Sequence, residues 1–204
     1  MSESFKPLGS NLLKMKPKKF FAKYKSPICS LDFSADGKKL VTTAENNYIS
    51  LYDVLKGDVI KIINSKVYGA GHVYFGAHPE TILVSSTLKD HTVRYMSLYD
   101  NKCIRVFTGH TEKITNMTLS PIRDLLITCS DDKTVRMWDI RQNECTHKME
   151  SGTFGALSSV DPESLVAAIA LDSKILNYLI FEIWKLVLFK LFLSKTNYVV
   201  HGQI

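Results

Sequence analysis

LSPIRDLLITCSDDKTVRMWD, residues 119–139, holds two runs of β-forming side chains, 125–129 and 134–138, split by the polar stretch Ser130–Lys133. Runs of this length around turn-forming residues read as a β-hairpin. Residues 33–53, FSADGKKLVTTAENNYISLYD, align with it over 21 residues without a gap, at an offset of 86. Ser34 matches Ser120, Leu40 matches Leu126, Thr42 matches Thr128 and Asp53 matches Asp139. Half of that offset is 43, and a middle copy stands there: HPETILVSSTLKDHTVRYMSLYD, residues 78–100, with Leu83 midway between Leu40 and Leu126. This copy carries one extra residue before Thr92 and an extension after Met96. A weaker fourth copy, ALSSVDPESLVAAIALDSKIL, spans residues 156–176, with Leu165 about four residues ahead of the expected position.

The third copy also carries Gly109-His110 and Trp138-Asp139, with 27 residues between the two dipeptides. A repeat of about 40–45 residues with Gly-His near its start and Trp-Asp near its end describes one four-stranded propeller blade. On these marks the chain resembles the WD40 family, and the fold expected is all-β, a WD40 β-propeller. The resemblance implies a polar tetrad in the third copy: His110, Thr128, Asp132 and Trp138. The aspartate accepts from the histidine, the histidine meets the threonine, and the threonine meets the indole N–H. Buried Trp and His need such partners for their polar atoms. The first copy has Tyr52 in place of Trp and lacks a Gly-His, and the second ends in Tyr95-Met96.

A narrower resemblance rests on RYMSLYDNKCIRVFTGH, residues 94–110, read as an extended connection from the second to the third blade. SLDFS at 30–34, LSPI at 119–122 with Asp124, and Asp161-Pro162-Glu163 agree with it. Within the WD40 family, these stretches are similar to the branch that supplies the WD40 subunit of COMPASS-type histone H3 lysine methyltransferase complexes. The similarity covers residues from about Pro27 to Leu176. It implies a nuclear scaffold without chemistry of its own, whose partners are methyltransferase-complex subunits, polymerase or transcription termination factors.

Three segments follow. Residues 1–26 form a basic arm. Its first 25 residues hold seven Lys against one Glu, which accounts for the whole net charge of +6. Such an arm is solvated, or attracts an acidic protein, nucleic acid or an import receptor. Lys14, Lys16, Lys18 and Lys19 are the import candidate. The rest of the chain is balanced in charge, so no sequence-specific nucleic-acid contact is expected of the repeats. Residues 27–176 are the repeats. Seven blades need about 300 residues, so an incomplete ring of about three to four blades is expected. Residues 177–204 are a divergent apolar tail. The run 176–193 has 18 residues and three charges, Glu182, Lys185 and Lys190. At 100° per residue the charges share an arc of roughly 140°, so the tail is expected to be an amphipathic helix. It would pack over a blade face, or be a tail without an evolved role. Spanning a membrane is disfavoured, since each central charge costs about 2.5–3.5 kcal/mol.

Catalytic signatures such as HExxH, GxSxG and a Walker loop are absent from the sequence, and no enzyme, metal or cofactor is expected. The pair Asp131-Asp132 belongs to a hairpin turn. His72, His78, His91, His147 and His201 lack ligand spacing, and the four cysteines form no CxxC pair. The thiols read as reduced, in a nucleus or cytosol. Trp138-Asp139-Ile140-Arg141 matches a WDxR ending, which suggests a second reading: a substrate receptor of a cullin–RING ubiquitin ligase, with Arg141 and Asp139 facing the adaptor. A third reading is a shortened isoform without independent function.

Overall fold

The computed structural model describes residues 26–120, 122–152, 154–172, 175–182 and 185–192, the last two stretches and Asp172 by backbone alone. The basic arm to residue 25 therefore lies outside the described residues. Among the described residues, sixteen strands make four antiparallel four-stranded sheets, each built from consecutive strands in meander order. Blade one holds β1 (Ile28–Phe33), β2 (Lys39–Ala44), β3 (Tyr48–Asp53) and β4 (Asp58–Asn64). Blade two holds β5 (Val73–Phe75), β6 (Thr81–Ser85), β7 (Val93–Ser97) and β8 (Cys103–Phe107). Blade three holds β9 (Ile114–Leu119), β10 (Leu125–Ser130), β11 (Thr134–Asp139) and β12 (Cys145–Glu150). Blade four holds β13 (Leu157–Val160), β14 (Val166–Asp172), β15 (Ile175–Glu182) and β16 (Lys185–Phe192).

The middle strands of blades two and three are buried on both faces, because each of these blades packs between two others. Val41, Ile49 and Leu51 of blade one meet Val73, Ile82 and Val84 of blade two. Leu83 and Phe107 then meet Met117, Leu126 and Trp138 of blade three, and Ile127, Val135 and Met137 meet Ala167 and Ile169 of blade four. Burial of this kind contributes about 25 cal/mol per Å² of apolar surface.

The repeat period returns as hydrogen bonds between the innermost strands. The Phe75 amide donates to Asp32 Oδ2 at 2.7 Å, 43 residues away, and the Val73 amide donates to Ser30 Oγ at 3.3 Å. His72 Nε2 donates to the Thr115 carbonyl at 2.8 Å, again over 43 residues. The Ser158 amide and hydroxyl donate to Asn116 Oδ1 at 3.0 and 2.8 Å. Side chains of one inner strand thus satisfy backbone groups of the next that no ladder reaches.

Two expectations are corrected. The tail is not helical over 175–192: β15 and β16 form a hairpin of eight paired positions, from Ile175↔Phe192 to Glu182↔Lys185. Its backbone extends the sheet on the open edge of β14, which a helix would leave unpaired. Glu182 and Lys185 are the last paired positions of the hairpin. The second correction is the register of blade two. Leu40 pairs with Tyr52, Leu126 with Trp138, and in blade two it is Ile82 that pairs with Met96. A register shift follows at the same place in each of the first three blades, at Leu51/Tyr52, Tyr95/Met96 and Met137/Trp138. Met96, rather than Tyr95, is therefore the counterpart of Trp138, and Ile82, rather than Leu83, that of Leu126.

Candidate functional site

The polar cluster of blade three is assembled from four places. His110 lies in the connection from β8 to β9, Thr128 on β10, Asp132 in the β10–β11 turn and Trp138 on β11. The turn forms because the Lys133 amide reaches back to the Ser130 carbonyl at 3.2 Å with Lys133 at φ +61°. Asp132 Oδ1 is fixed there by the Thr134 amide at 2.9 Å and hydroxyl at 2.7 Å. Its other oxygen accepts from His110 Nδ1 at 2.8 Å and the Thr111 amide at 3.1 Å. His110 Nε2 lies 2.8 Å from Thr128 Oγ1, which accepts from the Trp138 indole N–H at 2.9 Å.

One assignment of protons serves the three shortest bonds of the relay: indole N–H to Thr128, Thr128 O–H to Nε2, and Nδ1–H to Asp132. It requires a neutral imidazole. Burial pushes His110 below the ordinary histidine value, against the opposing pull of Asp132. Burial alone would raise the Asp132 carboxyl, but hydrogen bonds from Thr134, His110 and the Thr111 amide together hold it at about 2. The His110 side chain is 1% exposed and that of Asp132 5%. Sealed from water, the cluster ties the entry of blade three to β10 and β11. Phe107 packs edge-on against the indole, with ring centroids 5.8 Å apart. Gly109 has φ +154°, and a Cβ there would collide with the Arg136 guanidinium, which is why glycine precedes the histidine.

Blade two keeps only the aspartate of this arrangement. Asp90 bonds Thr92 Oγ1 at 2.9 Å, as Asp132 bonds Thr134, but its second partner is Arg94 Nη2 at 2.6 Å. The Arg94 guanidinium lies 3.4 Å from the centroid of the Tyr68 ring. Val84 and Met96 stand in place of Thr128 and Trp138, so neither needs a hydroxyl partner. In blade one, Thr42, Asn46 and Tyr52 occupy the corresponding positions, and that of His110 lies outside the described residues.

Arg141 and Asp139, the proposed contact residues, lie at the far end of blade three, at the β11–β12 turn. The Arg141 amide donates to Asp139 Oδ1 at 2.9 Å. Its side chain is 75% exposed, and its guanidinium bonds Asp124, with Nε at 2.5 Å. The motif 94–110 is not an interblade connection as a whole. It supplies the outer two strands of blade two, a turn of five residues (Leu98–Lys102), and then the entry to blade three. Sequence reading missed two further features of these turns. Leu55, Tyr99 and Arg141 occupy equivalent positions, each one residue after Val54, Leu98 and Ile140, whose amides bond Lys38, Glu80 and Asp124 carbonyls at 2.8 Å. In addition, Lys61 and Arg105 reach across to the turn of the following blade, Lys61 Nζ to the Leu98 carbonyl at 2.7 Å and Arg105 Nη1 to the Ile140 carbonyl at 2.9 Å. The correct register of blade two would have exposed the equivalence.

Among the described residues no group of three or more His, Cys, Asp or Glu could hold a metal ion, and no helix is long and apolar enough to cross a membrane. Consecutive four-stranded meanders packed face to face, one of them with a His–Thr–Trp relay on a turn aspartate, define a propeller-like WD40-repeat protein. The family profile agrees: WD40 (WD domain, G-beta repeat) matches residues 15–53 and 101–139, so the first match begins inside the basic arm.

The chain is, further, a homologue of WD repeat-containing protein 82 and of the SWD2 proteins. It is 36% identical over 170 residues to WD repeat-containing protein 82 of Drosophila melanogaster, covering 83% of this chain and 53% of the relative. It is 32% identical to "Set1 complex component swd2" of Schizosaccharomyces pombe, over 66% of this chain and 38% of that protein. It is 31% identical to "COMPASS component SWD2" of Saccharomyces cerevisiae, over 64% of this chain and 41% of that protein. The chain spans about half the length, or less, of these curated relatives.

Proposed function

We propose that the chain is a non-catalytic WD40 scaffold of a nuclear COMPASS-type histone H3 lysine methyltransferase complex, and that it also serves the transcription termination machinery. The observation that carries the proposal is its homology to proteins named as components of the Set1 complex and of COMPASS. The sealed tetrad supports it, because the one histidine–carboxylate pair of blade three is engaged in holding strands. Partners are then proteins, bound at turns and edges. Direct pull-down tests the reading: the purified chain should retain the N-terminal region of a Set1-type methyltransferase, and failure to retain it would remove the proposal. The exposed Arg141 favours a second reading, the cullin–RING substrate receptor. The ligase adaptor separates the two: under the second reading the purified chain retains it and Arg141→Ala abolishes that binding, and under the first the adaptor is not retained at all.

A further inference from the structure

The turn Leu98–Lys102 is held on every side yet presents an aromatic ring to water. Leu98 is buried in the core between blades one and two, and its amide donates to the Glu80 carbonyl at 2.8 Å. The Ser97 amide donates to the Lys102 carbonyl at 2.9 Å. Lys61 Nζ holds the Leu98 carbonyl at 2.7 Å and that of Tyr99 at 3.3 Å. At the tip, Tyr99 is 87% exposed, more than any other large apolar side chain among the described residues. A backbone already ordered lowers the entropic cost of using that side chain in binding.

The feature is repeated. Leu55, at the same position of blade one, is 73% exposed, and Arg141 holds it in blade three. The clamp is repeated too, by Arg105 on Ile140. Both clamping cations have carbonyl partners, and among the described residues neither has a carboxylate. They add two cations without carboxylate partners to an end of the blades where the carboxylate of Asp124 is already paired with Arg141. Exposed aromatic, arginine and aliphatic side chains on turns whose backbone is held by cations are the composition of a binding hot spot for an acidic, partly apolar segment.

We propose that the row Leu55, Tyr99 and Arg141 is a docking face for an acidic, partly apolar peptide segment of a protein partner, with Tyr99 as its anchor. This rests on the scaffold reading above. To test it, a benzophenone amino acid is placed at Tyr99 in the tagged full chain, and in a second preparation at Val67, which is exposed at the opposite end of the sheets. Both are irradiated in nuclear extract and the cross-linked peptides are sequenced. Position 99, and not 67, should cross-link to a segment with Asp or Glu around an apolar residue. Tyr99→Ala should weaken that partner roughly tenfold or more, with an unchanged melting temperature, and Tyr99→Phe should retain it. A basic segment, cross-links from 67 alone, or equal retention by Tyr99→Ala would overturn the docking face. The two readings fail separately. If Tyr99→Ala keeps methyltransferase subunits, the docking face falls and the scaffold stands. An acidic segment from a protein of another complex leaves the face standing and removes the methyltransferase assignment.

Discussion

In blade three, Asp132 is bonded to a neutral imidazole; in blade two, Asp90, at the same turn position, is bonded to a guanidinium. The imidazole passes the chain of bonds inward, to Thr128 and then to a buried indole. The guanidinium passes nothing on: Arg94 stacks on Tyr68, and the strands beneath carry Val84 and Met96. The difference teaches what the relay is for. Trp138 fills the seam between blades two and three and brings a polar N–H into it, so a hydroxyl and then an imidazole must follow. Where a methionine fills the seam, the turn aspartate needs only a local partner from its own strand.

The largest expected effect is therefore the loss of the indole. Trp138→Ala should cost about 3–5 kcal/mol in urea unfolding, against about 2 kcal/mol for Met96→Ala, whose side chain is only partly buried. Equal costs would break the comparison. Next is Thr128→Val, nearly the same in shape, which leaves the indole N–H and the imidazole Nε2 without partners and should cost about 2–3 kcal/mol. The reverse change sharpens the point: Val84→Thr puts a hydroxyl where no relay receives it, and should destabilise blade two by about 1–2 kcal/mol rather than rescue a tetrad. Arg94→Met should cost less, about 1 kcal/mol, because the Asp90 carboxylate is partly exposed and water takes over its charge.

Acid should cost stability in two steps. His110 is held below its ordinary value by burial, so below about pH 6.5 the unfolded chain binds the proton first. Stability is full above that pH and is lost as pH falls through it. His72, also pushed down by burial, adds to the same slope. Asp132, held at about 2, adds a second loss as pH falls below its ordinary 3.8. In urea titrations, His110→Gln and His72→Gln should each reduce the slope just below pH 6.5, and the two together should flatten it. The smallest effect is expected at Arg141→Ala, below about 0.5 kcal/mol, because its pair with Asp124 is largely in water.

Much of the site could be read in advance where sequence marks were polar and spaced. The Gly-His and Trp-Asp dipeptides marked His110 and Trp138, the WD40 resemblance implied Thr128 and Asp132 between them, and the gapless alignment of residues 33–53 with 119–139 marked the hairpins of blades one and three. Blade two lacked those marks. Its run Ile82-Leu83-Val84 is buried on both faces, so alternation could not fix which side chain faced which neighbour. A slip of one residue followed, and it hid the equivalence of Leu55, Tyr99 and Arg141. The residues 175–192 misled for the same reason. An apolar run without alternation suits a helix or a doubly covered strand, and what decided it was the edge of β14, a tertiary demand that no local period carries.

The central claim is that this chain carries partners in a methyltransferase complex rather than transforming a substrate. Affinity purification of the tagged chain from nuclear extract, with the retained proteins identified and assayed for histone H3 methylation, tests it most directly. The account expects methyltransferase-complex subunits in stoichiometric amounts and H3 methylation in the eluate. Chaperones alone, with no methylation, would contradict it.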